Sequence, residues 1–222
     1  MLSTTTTTTT AAHLTHRSAS TVLMAAGLFV ACVLVLHGLQ PELDPSTSML
    51  SQYALGRGAA LMAVAFLALS ATYLALLVGL HAELRGIWGR LGQAMLLLAA
   101  VGSAMGGLFP MDPVATPPEQ YSLSGKLHGV AFMLGGPGAL LSATFVNIAL
   151  ARLPGWRPAK RGLVITAAVV WIVYVAFTVV IVQLMGGSEA ASHWAGLLNR
   201  ALVLSWLAWS CHVAWHLRRR AV

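Results

Sequence analysis

The chain has 222 residues, of which 58% are hydrophobic and 9% charged, with a formal net charge of +7. A water-soluble domain of this length has too little interior to hide that much apolar surface, so the solvent for most of the chain is lipid. The positive balance does not indicate nucleic acid, because the cations are spread over short connections and a tail rather than gathered on one folded surface.

Residues Thr4 to Thr10 form a threonine tract, and the polar stretch around it lacks periodicity, so residues 1–18 are expected to be a disordered tail. Six apolar runs follow, at Ser20–Leu39, Ala59–Leu80, Leu91–Phe109, Leu127–Leu150, Leu163–Met185 and Gly196–Trp215. Each is near the roughly 20 residues that carry a helix across a bilayer core. The runs are continuous and rich in Leu and Ala, whereas strands of a membrane barrel alternate over roughly 10 residues. The expected fold is all-α, a polytopic bundle of six transmembrane helices over residues 19–217, closed by a basic tail at 218–222. No small-residue cleavage site follows the first run, so it is read as a retained span rather than a signal peptide. Cys32 and Cys211 fall inside spans near opposite faces, which rules out a disulfide and leaves small buried residues.

Placing both termini in the cytoplasm puts ten cations inside, namely Arg17, Arg85, Arg90, Arg152, Arg157, Lys160, Arg161 and Arg218 to Arg220, and leaves Arg57, Lys126 and Arg200 outside. That distribution satisfies the positive-inside rule, and a bacterial inner membrane is the expected location. Arg218 to Arg220 can also meet anionic lipid heads. In the third span Gly102 and Gly106, four apart, permit close helix approach. In the fourth, Gly135-Gly136-Pro137-Gly138 implies either a kink or a helix broken at mid-membrane, as in many transporters.

The outer connections hold most of the acids and several hydroxyls. Asp44 to Gly56 has an N-cap, a first-turn proline and a closing glycine, which suggests a short interfacial helix with Tyr53 at headgroup level. Leu108-Phe109-Pro110-Met111-Asp112-Pro113 and Ser124-Gly125-Lys126-Leu127-His128-Gly129 flank the connection between consecutive spans, so Asp112 and His128 should approach each other.

Ser51-x-Tyr53-Ala54-x-Gly56, Phe109-Pro110-x-Asp112 and Gly125-x-x-His128-Gly129, in that order and placement, resemble the bacterial six-helix membrane proteins grouped as domain of unknown function 998. The resemblance covers nearly the whole chain. It implies that Ser51, Tyr53, Asp112 and His128 matter, and it implies no particular activity.

Arg57, Lys126 and Arg200 each stand near the outer start of a span, where helix dipole and topology rule both disfavour a cation. Pairing with Asp44, Asp112 or Glu189 would compensate, and so would an anion bound among the three cations, with Tyr53 and Asp44 completing the ligand-binding set. An enzyme acting on a lipid-like substrate would use His128 as base, Asp112 to orient it and Ser51 as nucleophile. A small-molecule transporter and a non-catalytic membrane partner are the alternatives. Histidines crowd the span ends, where they are readily solvated, so neither a metal nor any other cofactor is expected. The expected partners are the lipid bilayer and an anionic lipid or lipid-linked molecule, without nucleic acid.

Overall fold

The computed structural model describes residues 3–220, with side chains from His13 onward. Among the described residues there is no strand. The long helices are α1 (Ser3–Leu39), α2 (Ala59–Leu80), α3 (Gly86–Leu108), α4 (Leu123–Leu150), α5 (Lys160–Met185) and α6 (Glu189–Arg220). Short 3-10 turns occupy Leu50–Leu55, Pro118–Gln120 and Pro154–Ala159 in the connections. The first five helices are long and apolar enough to cross a membrane. The 32 residues of α6 reach about 48 Å at about 1.5 Å per residue, which is also sufficient length. Its lower apolarity comes from Glu189, Arg200 and the terminal arginines.

The last residues of α1, α2, α4 and α5 coincide with the ends of the apolar runs, whereas α3 to α6 begin earlier than those runs do. Hydropathy marks the stretch that lipid requires, and the backbone ladder continues into polar first turns that it does not mark. The threonine tract behaves the same way: the backbone of α1 is helical from Ser3, where an irregular tail was expected. Arg218 to Arg220 are likewise the final turn of α6 rather than a separate tail.

The helices form a ring in chain order, closed where α6 packs on α1, and α6 also reaches α2 and α4 across the centre. The most extensive interface joins α3 to α4. A Cβ added at Gly102 would lie 2.4 Å from the backbone nitrogen of Gly135, and one at Gly138 would lie 2.7 Å from that of Ala99. The two backbones therefore touch, and dispersion between them replaces the side chains that are missing. Gly106 and Gly107 face α2 instead, against Phe66 and Ala63. The glycines around Pro137 thus serve packing, and α4 runs unbroken through the proline, which removes the broken-helix reading.

Polar side chains stitch the interior at a few points. Ser70 donates to the Ala100 carbonyl at 2.8 Å, joining α2 to α3. Asn147 of α4 donates to the Leu163 carbonyl of α5 at 2.7 Å and accepts from the Trp209 indole of α6 at 3.0 Å. Cys32 and Cys211 are free thiols. α5 is the lipid-facing member, with only 17% of its most apolar stretch buried against 44% for α2.

Candidate functional site

The connection between α1 and α2 lies folded on the start of α6. Asp44 opens it: one carboxylate oxygen accepts from both the Ser46 amide and the Ser46 hydroxyl at 2.8 Å. These bonds, strengthened by the attraction of Arg200 and His193, hold the Asp44 carboxyl below its ordinary pKa. The turn presents the Ser46 carbonyl to the amides of Gly196 and Leu197. A Cβ at Gly196 would stand 2.4 Å from the Pro45 carbonyl, so only glycine lets the connection lie this close. Leu50 then donates its amide to Asn199 at 2.9 Å. Rather than an α-helix, the segment is a turn followed by the Leu50–Leu55 3-10 helix. The docking explains the difference, since the amides that would extend a helix bond to Asn199 and the Asp44 turn.

Arg200 is the hub of this region. Its Nε donates to His37 Nε2 at 3.0 Å, Nη1 to the carbonyls of Ser48 at 2.6 Å and Gly196 at 3.0 Å, and Nη2 to the Tyr53 hydroxyl at 3.2 Å. His37 Nδ1 lies 2.6 Å from the Val33 carbonyl, which can only accept, so Nδ1 carries the proton and Nε2 is free to receive Arg200. Tyr53 is fully buried within the protein, and its hydroxyl donates to the Leu43 carbonyl at 3.2 Å. Because α6 begins at Glu189, Arg200 lies about three turns inside the helix, away from its dipolar end.

The second connection leads to His128. Asp112 accepts from the Ser122 amide at 2.8 Å, Ser122 caps α4 by accepting from the Gly125 amide at 3.0 Å, and Ser124 donates to the Pro110 carbonyl at 2.8 Å. His128 Nδ1 sits 2.8 Å from the Phe109 carbonyl, which fixes Nδ1 as the donor and leaves Nε2 as the acceptor of the neutral ring. Thus Phe109 orients His128, and Asp112 secures the turn instead of forming the expected pair with the histidine. The reason is local, since the Asp112 carboxylate is taken by the Ser122 amide at the cap of α4.

Two hollows adjoin this end. A cavity of about 90 Å³ brings Ser51 and His128 together with Ser103 and Asn199, and Trp206 forms part of its wall. The Trp206 indole nitrogen is buried with no hydrogen-bond partner among the described residues. A groove of about 220 Å³ runs between α1 and α6, lined by Val30, Val33, Leu34 and Leu204, with His37 and Arg200 at its polar end. Phe29 and Leu50 line both hollows and so stand between them. Arg57 and Lys126 line neither. Arg57 pairs with Glu42 at 3.3 Å on the exposed surface, and Lys126 is exposed in the first turn of α4. Convergence of three cations is therefore replaced by one embedded arginine. Sequence reasoning missed Asn199, His37 and Gln40, the last buried and accepting from the Gly58 amide at 3.0 Å. The adjacent polar pair Asn199-Arg200 inside an apolar run was the available signal.

An all-helical, multi-pass membrane protein with a polar assembly at one end is the class that this architecture defines. Within it, the chain belongs to the family described as Protein of unknown function (DUF998), whose family model matches residues 4–216. No curated protein and no solved structure matches the chain.

Proposed function

We propose that this protein binds an anionic, lipid-like molecule from the bilayer, with its acidic group at Arg200 and His37 and its hydrocarbon along the α1–α6 groove. The supporting observation is Arg200 itself. It is half-buried at the head of an apolar groove, and every hydrogen-bond partner it has is neutral. Four of its five N–H donors are engaged, which leaves one Nη2 hydrogen and a charge with no hydrogen-bonded acid to meet an incoming anion. Leu34 and Leu204 of the groove are exposed on the lipid side, so a chain can enter laterally. Ser51 and His128 sit behind Phe29 and Leu50, in a cavity that has room for a few waters or the reacting part of a ligand. Processing of the bound molecule there, with Nε2 of His128 as base, is the catalytic extension of this reading.

Ten of thirteen cations lie at the end opposite Arg200, which supports cytoplasmic termini, an outward-facing groove and a bacterial inner membrane. The test is native mass spectrometry of the full chain in mild detergent, with Arg200→Gln and the groove-filling Leu34→Trp beside wild type. Wild type should retain an acidic amphiphile that both variants lose. Equal retention in Leu34→Trp would sink the groove, even if Arg200→Gln failed to fold.

A further inference from the structure

The opposite end of the bundle holds a larger hollow, about 460 Å³, where the α2–α3 connection meets the end of α4. Arg85, Arg152 and Arg220 line it together with Glu83 and Trp88. Glu83 is the only acid at this end among the described residues, and its carboxylate is fully committed. Both oxygens accept from Arg220, at 2.8 and 2.9 Å, and one also accepts from the Trp156 indole. Arg220 is thereby neutralised, which leaves Arg85 and Arg152 to set the charge of the hollow.

Neither of those two has an acidic partner among the described residues. Arg85 donates Nε to the Ala82 carbonyl at 2.9 Å, leaving both terminal nitrogens of its guanidinium open. Arg152 stands 5.9 Å from the centre of the Trp88 ring, which keeps the guanidinium in place without using its N–H groups. α3 begins at Gly86 with no side chain capping it, so the first amides of that helix add partial positive charge at the wall formed by Gly86, Ile87 and Trp88. Topology accounts for cations at this end, and it does not account for two unpaired guanidiniums facing one hollow. The volume falls within the roughly 300–1,000 Å³ of small-molecule sites.

We infer that the hollow lined by Arg85, Arg152 and Trp88 is a second binding site, for a phosphate-bearing group carried by a lipid head or by a soluble molecule. Two guanidiniums converging on one cavity match phosphate oxygens, which accept paired N–H bonds from arginine. The site is independent of the Arg200 groove, at the other end of the molecule.

The experiment uses the full chain in two arms. In the first, inorganic pyrophosphate is titrated calorimetrically into protein held in nanodiscs of phosphatidylcholine. In the second, native mass spectrometry compares retention of phosphatidylglycerol with that of phosphatidylcholine. Binding in either arm, weakened at least about tenfold in Arg85→Gln/Arg152→Gln and unchanged in Arg57→Gln, an exposed arginine that lines neither hollow, is the expected result. The responding arm identifies the soluble or the lipid source. Wild type that neither binds pyrophosphate nor prefers the acidic lipid overturns the site, whatever the variants do. So does a double variant that binds as wild type, or an equal loss in Arg57→Gln.

Discussion

At the end of the bundle that carries Glu42, Asp44, Asp112, Glu119 and Glu189, the side chain with the most partners is a cation, Arg200. At the end that carries most of the cations, the corresponding side chain is the acid Glu83. The two hubs are nevertheless built differently. Arg200 is surrounded by carbonyls, a hydroxyl and a neutral imidazole, which stabilise its charge without cancelling it. Glu83 is answered by a full positive charge. The difference separates a charge that is held from a charge that is spent, and only the first is available to a ligand.

Removing the held charge should cost the most. Arg200→Ala leaves the Ser48 carbonyl, His37 and Tyr53 without their donor, and a loss of about 2 kcal/mol or more is expected, read as a lower melting temperature in detergent. Arg57→Ala, at the same end but exposed and paired only with Glu42, should leave that temperature unchanged. Glu83→Gln comes next. It keeps an acceptor for Trp156 but gives up the pair with Arg220, whose side chain is one-third exposed, and about 1 kcal/mol is expected. A larger loss for Glu83→Gln than for Arg200→Ala would reverse the ranking of the hubs. The smallest effect is that of pH on the Asp44 turn. Its carboxyl titrates lower in the folded chain than the ordinary value of 3.8, so its stabilisation is full above that value and disappears as pH falls through the lower one. The melting temperature of wild type should fall over this acid range more than that of Asp44→Asn, and parallel curves would remove the turn from the comparison.

The run of α2 was legible to the residue, because Ala59–Leu80 is bounded by polar or glycine-rich sequence on both sides. The beginnings of α3 and α6 were not, since Gly86, Gly89 and Arg90 open the one and Glu189, Ser192 and His193 the other, as they would a loop. Ser51, His128 and Arg200 were legible as polar residues beside apolar runs. Their partners were not, because the bonds from Arg200 to His37 and Ser48 cross more than 150 residues of chain, and no local pattern encodes such a distance. The same limit explains Asp112. Sequence shows that it lies near the start of α4, and not that the Ser122 amide will claim it before a histidine can. α6 reads as the least apolar span for a related reason: Asn199, Arg200, Ser205 and Ser210 are at least partly buried in the bundle and Glu189 and the arginines lie at its ends, while the more apolar α5 meets the lipid.

The bond between Arg200 and His37 joins residues 163 apart, one in the first helix and the other in the last. Chain elongation therefore delivers the acceptor long before the donor. Until α6 enters the membrane, His37, Tyr53 and the Ser48 carbonyl wait without their common partner, and the groove beside them has only one wall. A nascent chain stopped after α5 would accordingly behave as an open ring. Arrival of the final helix sets both the groove and the latch that closes it in a single late step of biogenesis.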